Sequence, residues 1–270
     1  MLRDTRRSAA YFAELLPEFD EGIEETQQAL DAGNFVLPDE QLDAAHQLYE
    51  LAILRAVAHY SSGASQAELV PLVAEILPLR QQLSSVADRL PASQQVYRQP
   101  FEVFGGQGKA CGSANINRYI YALWWLGLLV ATQADEAHIQ QALASIGNAG
   151  RDALLDRIAA RLGCPPEAPA EALLYPALYR PLLAAFDAGP ATQQTLLGVF
   201  LDHWYEQCQD ADWHDNHLCD CEFVYTDYYV GYWSFEALLV ARLLGVDDQV
   251  LQDHAFYPGG LSQQPHGLSR

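Results

Sequence analysis

The stretch Tyr119–Ala131, YIYALWWLGLLVA, is the most apolar run of the chain and holds no charged side chain over its thirteen residues. A helix that crosses a bilayer needs roughly 20 apolar residues, so the run predicts a buried core helix rather than a membrane span. A helix that is apolar on every side, Trp124 and Trp125 included, has to be enclosed by other elements. Helical periodicity dominates on both sides of it, and β-hairpin signals are nearly absent.

Toward the amino end, Gly105, Gly106, Gly108 and Gly112 predict a loop leading into this helix. Ser65 and Glu68, at capping-box spacing, open a helix expected over 65–90, and another is expected over 39–60. In the first helix Phe12, Leu16, Phe19, Ile23 and Leu30 form one apolar stripe, and Glu14, Glu18, Glu21 and Glu25 gather on the far face. Like charges at i,i+4 cost about 0.2–0.5 kcal/mol per pair, so that acidic row brings no local benefit. Pro17 predicts a kink or a restart within the helix.

Toward the carboxyl end, short helices are expected over 135–146 and 151–162, the second closed by Gly163, Pro165 and Pro166. A helix over 173–186 is interrupted by Pro176 and Pro181, and Pro190 suits the first position of a helix running to about Gln207. Irregular, aromatic-rich chain follows from Asp210 to Tyr232, and Ser234 caps a last helix that ends at Gly245. The fold class expected is all-α, a multi-helix bundle of two helical subdomains packed together, 1–133 and 134–270, with the seam near Ala134.

Charge divides the chain into blocks. Ser8–Leu54 holds eleven acidic residues and Pro181–Ala241 ten, neither with any Lys or Arg, while Arg55–Arg180 balances ten acids against ten bases. The net charge of −20 argues against nucleic acid or an anionic membrane as partner, because phosphates are repelled. Half the residues are apolar or aromatic, so the chain folds rather than serving as an acidic tail. The partner expected from charge is therefore basic, or the acids serve solubility. Residues 8–20 offer no apolar region of signal-peptide length, and five irregularly spaced cysteines in a chain of 270 residues suit a reducing compartment. Together these predict a cytoplasmic location.

Few motifs point to catalysis. Phe104-Gly105-Gly106-Gln107-Gly108-Lys109 invites a phosphate-loop reading, but that pattern needs Gly at 103 and Ser or Thr at 110, where this sequence has Val103 and Ala110. Cys111 and Ser113 lie in the same loop without a designated base, and Asp212, Asp215 and Asp227 could converge only in space. His203, Cys208, His214, His217, Cys219 and Cys221 fall within nineteen residues, and thiolates with imidazoles suit zinc. Their H-x₂-H and C-x-C spacings fit structural zinc sites loosely, so no metal or cofactor is assigned. In Asp210–Asp227 six acids, Asp210, Asp212, Asp215, Asp220, Glu222 and Asp227, are interleaved with Trp213, Phe223 and Tyr225, and Tyr228 and Tyr229 follow. Aromatic anchors with steering carboxylates are what a surface for a basic protein requires.

Gly231-Tyr232-Trp233-Ser234-Phe235-Glu236, then Leu244-Gly245-Val246-Asp247-Asp248 and Tyr257-Pro258, resemble the C-terminal signature of the PoNi-like immunity proteins. Trp204-Tyr205 and Trp213 with Asp215 and His217 resemble the part that precedes it, and Tyr60-Ser61-Ser62-Gly63 with the Trp124-Trp125 helix is similar to the family's first region. Gly260 departs from the pattern, where an Asp is expected. The resemblance implies an antitoxin of PoNe-type bacterial DNase effectors, associated with type VI secretion, that acts by stoichiometric binding and is not an enzyme. It further implies that the signature residues Trp204, Trp213, His217, Gly231, Tyr232, Trp233, Glu236, Asp247, Asp248, Tyr257 and Pro258 serve structure, Glu236 by meeting a buried backbone or Arg partner. The toxin contacts then fall on the six acids with Tyr225, Tyr228 and Tyr229, and on the Glu14, Glu18, Glu21 and Glu25 row. Two other readings stand beside it: a metal-dependent hydrolase built on the His and Cys cluster, and an acidic helical scaffold.

Overall fold

The computed structural model describes residues 1–105, 116–218 and 228–261. Every α or β element among them is a helix: α1 (Ala9–Asp31), α2 (Pro38–Ser62), α3 (Gln66–Ala74), α4 (Ile76–Asp88), α5 (Gln99–Glu102), α6 (Ile116–Ala131), α7 (Glu136–Ile146), α8 (Ala153–Arg161), α9 (Pro176–Ala185), α10 (Pro190–Gln207) and α11 (Phe235–Leu244). The protein is all-α.

Local chemistry sets most of the boundaries. The Ser8 hydroxyl accepts from the Tyr11 N–H at 3.1 Å and starts α1. Ser65 and Glu68 cap α3 reciprocally, the Ser65 N–H reaching the Glu68 carboxylate at 2.7 Å. Asp135 caps α7 and Asp152 caps α8 through their side chains. Pro190 occupies the first turn of α10, and Gly245 closes α11 in the left-handed region at φ +65°.

Three local expectations are corrected. Pro17 lies inside a single α1 without a restart. Ala13, whose carbonyl loses its bond to residue 17, is exposed with Pro17 itself, so water can satisfy that oxygen while buried Phe12, Leu15 and Phe19 hold the helix to the core. The single helix expected over 65–90 divides at Glu75 into α3 and α4, because Pro78 has no N–H to give the Ala74 carbonyl. Pro176 begins α9 rather than interrupting it, and Pro181 is carried within the helix.

One apolar core runs from Phe12 to Leu261 and joins the two halves of the chain. At its centre is α6, in which every residue but Val130 is buried, as the uncharged run over 119–131 leads one to expect. The α6 helix packs on α11, and Gly127 permits the approach: a Cβ there would fall 2.6 Å from the Phe235 carbonyl oxygen. On the other side α2 lies against α1 and α4. Among the described residues no helix is long and apolar enough to cross a membrane.

Candidate partner-binding face

The segment 228–236 threads between α6, α2 and the amino-terminal strand of chain before α1. Gly231 adopts φ +102°, a conformation that side chains rarely take, and any Cβ there would lie 2.2 Å from the Ser61 hydroxyl oxygen. The space is filled by Trp233, whose indole N–H donates to that hydroxyl at 2.7 Å, while the hydroxyl donates to the Val230 carbonyl. Tyr60 meets Trp233 edge-on at 5.0 Å and Phe235 at 5.6 Å. The Tyr60-Ser61 and Gly231–Phe235 stretches thus form one contact.

Glu236 is 1% exposed. Its carboxylate accepts from the indole N–H groups of Trp124 at 2.9 Å and Trp204 at 3.2 Å, the Tyr179 hydroxyl at 3.2 Å and the Ser234 hydroxyl at 3.1 Å. The expectation of a backbone or Arg partner is met on its backbone side by the residue's own N–H, and in place of an Arg stand two indoles, a phenol and a serine. Burial pushes its carboxyl up to about 7, against the pull of these donors. Trp204 stacks on Trp213 at 5.2 Å, and Trp213 reaches Trp124 at 5.6 Å. Tyr232 receives the His217 backbone N–H at 3.2 Å and contacts the imidazole Nδ1 at 2.9 Å. The Tyr257 hydroxyl donates to Asp248 at 2.7 Å, the Asp247 carbonyl accepts from Gln194 at 3.0 Å, and Pro258 is buried. Gly260 lies against Arg3, where a Cβ would come 2.6 Å from Nε.

Two residues that sequence reasoning passed over complete the framework. Asp4, 1% exposed, accepts from the Tyr229 hydroxyl at 2.6 Å and from Arg6 at 2.9 Å. The Tyr11 hydroxyl bridges the Tyr229 backbone, accepting its N–H and donating to its carbonyl, both at 3.0 Å. An Asp among arginines near the amino end carries no local signal of a partner more than two hundred residues away.

The proposed contact residues divide accordingly. Glu14, Glu18, Glu21 and Glu25 are all exposed along α1. Asp210, Asp212 and Asp215 are exposed as well, though Asp212 is tied to Asn117 through its N–H at 3.0 Å and through its carboxylate, and Asp215 accepts from the Tyr205 hydroxyl at 2.6 Å. Tyr229 is 1% exposed and so belongs to the core, not to a contact surface. Tyr228 is half-buried with its ring 5.3 Å from Phe19. Asp220, Glu222, Tyr225 and Asp227 lie outside the described residues, as do Gly106–Lys109, Cys111, Ser113, Cys219 and Cys221. Because His217 packs with Tyr229 and Tyr232, the chain leaves at 218 and returns at 228 beside one another, next to α1.

The described members of the His and Cys cluster, His203, Cys208, His214 and His217, do not assemble into a metal site. Among the described residues no group of three or more His, Cys, Asp or Glu side chains is placed to hold an ion. His203 is exposed on α10 with Nδ1 at 3.0 Å from the Val199 carbonyl, Cys208 is fully buried with its thiol pushed up by burial, and His214 stacks on Tyr205 at 4.3 Å.

A family model described as PoNe immunity proteins (PoNi), C-terminal, matches residues 150–261. Residues 150–261 are thus similar to the C-terminal region of the PoNi immunity proteins. The match takes in the Trp204 to Glu236 framework and the Tyr257-Pro258 tail. A solved structure, protein PA2201 from Pseudomonas aeruginosa, is similar in fold across 97% of this chain and 96% of that one, with a TM-score of 0.58 and 21% sequence identity. No curated protein matches the chain.

Proposed function

We propose that this chain neutralises a PoNe-type DNase effector, delivered by a type VI secretion system, by binding it one to one in the cytoplasm through an acidic face. The observation that carries the reading is the row Glu14, Glu18, Glu21 and Glu25, exposed and, among the described residues, forming no ion pair. Its like-charge pairs cost about 0.2–0.5 kcal/mol each with no return inside the fold, which supports a use outside it. Asp210, Asp212 and Asp215 of the second acidic block are exposed as well, so the two proposed helical regions, 1–133 and 134–270, each bring acids to the surface. A DNase presents a basic groove to phosphates, and carboxylates held in the right positions occupy it without turnover.

The test is a kinetic binding measurement with the purified nuclease encoded beside this chain, together with DNA cleavage with and without one equivalent of this protein. Glu14→Lys, Glu18→Lys and Glu21→Lys combined are expected to slow association at least tenfold at low salt and to flatten its salt dependence. Unchanged association and salt dependence would remove α1 from the face.

A further inference from the structure

We propose that the corner between α1 and α2 is the apolar anchor of the same face, seating a side chain of the basic protein partner; the inference rests on the reading of the acidic row as partner-facing. Steering carboxylates speed encounter, but tight complexes hold through buried apolar or aromatic anchors. Of the tyrosines expected to fill that role, Tyr229 is buried in the core and Tyr228 is half-buried against Phe19. At the far end of α1, Val36 is 78% exposed and Leu37 53% exposed.

This tip is held rigid. The Glu40 carboxylate accepts from the Val36 N–H at 3.2 Å and the Leu37 N–H at 3.1 Å, and Gln41 donates to the Phe35 carbonyl at 3.0 Å. The Asn34 N–H returns to the Ala29 carbonyl at 3.0 Å and closes the end of α1. Two adjacent exposed aliphatic side chains on a backbone pinned by these bonds present a contact whose main chain loses little conformational freedom on binding. Phe35, the residue before them, lines a cavity of about 490 Å³ together with apolar Leu30 and Val86 and polar Gln41, Gln81 and Arg89. Asp31, Asp39 and Glu40 are exposed around the tip and extend the acidic field of α1 to it. The complementary occupant is therefore an apolar side chain on a cationic protein surface, and α1, at about 34 Å for its 23 residues, has the span of one standard interface.

Val36→Ser with Leu37→Ser separates this role from folding. Leu37 stands at the N-cap of α2 with no side-chain cap bond, and a serine there supplies one, so the melting temperature is expected to hold or rise. Dissociation of the neighbouring nuclease is expected to quicken at least tenfold, with the salt dependence of association unchanged. A dissociation rate within twofold of the parent overturns the proposal. Should the double variant melt lower, Val36→Ser alone decides on the same readout. If the α1 reversals slow association while the serine pair changes nothing, this anchor falls and the acidic face stands; if neither acts, both fall. Sedimentation of the chain alone gives a further decision: a dimer that the serine pair dissolves would assign the corner to a second copy and overturn the nuclease as occupant.

Discussion

The hydroxyl of Tyr229 donates to the carboxylate of Asp4 at 2.6 Å, across 225 residues of chain. The same carboxylate, whose side chain is wholly buried, accepts from the Arg6 side chain and backbone at 2.9 Å each. A charge so deep is tolerable only while its donors remain. Arg6 in turn lies over the rings of Tyr232 at 5.4 Å and Phe256 at 5.5 Å, so the first residues of the chain close over the signature segment.

Asp4→Asn replaces an acceptor with an amide facing donors and leaves Arg6 without its counter-charge. A loss of about 3–5 kcal/mol of stability is expected, against about 1–3 kcal/mol for Tyr229→Phe, which removes one donor of several. Urea unfolding of the two variants measures both, and equal small effects would contradict the buried arrangement.

Gly231→Ala is expected to destabilise by at least about 2 kcal/mol, from backbone strain of about 1–3 kcal/mol and from the clash with Ser61. Ser61→Ala added to it should recover only the part of the steric cost that arises at Ser61, since a Cβ at 231 would still come 2.5 Å from the Trp233 indole nitrogen. A double-mutant cycle that shows no coupling between positions 61 and 231 would contradict the close approach.

Glu236 makes stability depend on pH in a defined direction. Its folded carboxyl titrates at about 7 against an ordinary 4.5, so the native state holds the proton more tightly and the favourable contribution is present below about pH 4.5. It is lost as pH rises through about 7, a change of order 3 kcal/mol. His46 opposes it: burial holds this imidazole near 3, so its contribution is present above about 6.5 and lost as pH falls. The difference between the parent and Glu236→Gln isolates the glutamate. The variant should be more destabilised, relative to the parent, at pH 5 than at pH 8, as read by urea midpoints at the two values.

What the sequence made legible is what neighbouring residues dictate. Ser65 with Glu68, Pro190, and Ser234 with Gly245 act within one helical turn, and their helices begin or end where those residues imply. The core helix around Trp124 follows from the lack of any charge over 119–131. The division at Glu75 depended on a single missing N–H at Pro78, weighed against the apolar pattern that spans it. Asp4 carries no sequence signal because a buried hydrogen bond to a residue so far along the chain leaves no periodic trace, and Tyr229 reads as a surface contact because aromatic residues in an acidic stretch look alike whether they face water or the core. Glu236 was legible as a buried carboxylate, but its indole donors come from α6 and α10, and only the fold brings those together.

The amino-terminal strap fixes an order of events during synthesis. A ribosome adds about 5–20 residues per second, so Asp4 emerges on the order of 10–45 s before Tyr229 does. Over that interval the first helices can collapse around α6 while the strap has nothing to fasten to. A nascent chain that stalls before residue 229 therefore keeps Asp4 and its arginines undocked, within reach of chaperones and proteases, until the segment that fastens them has been made.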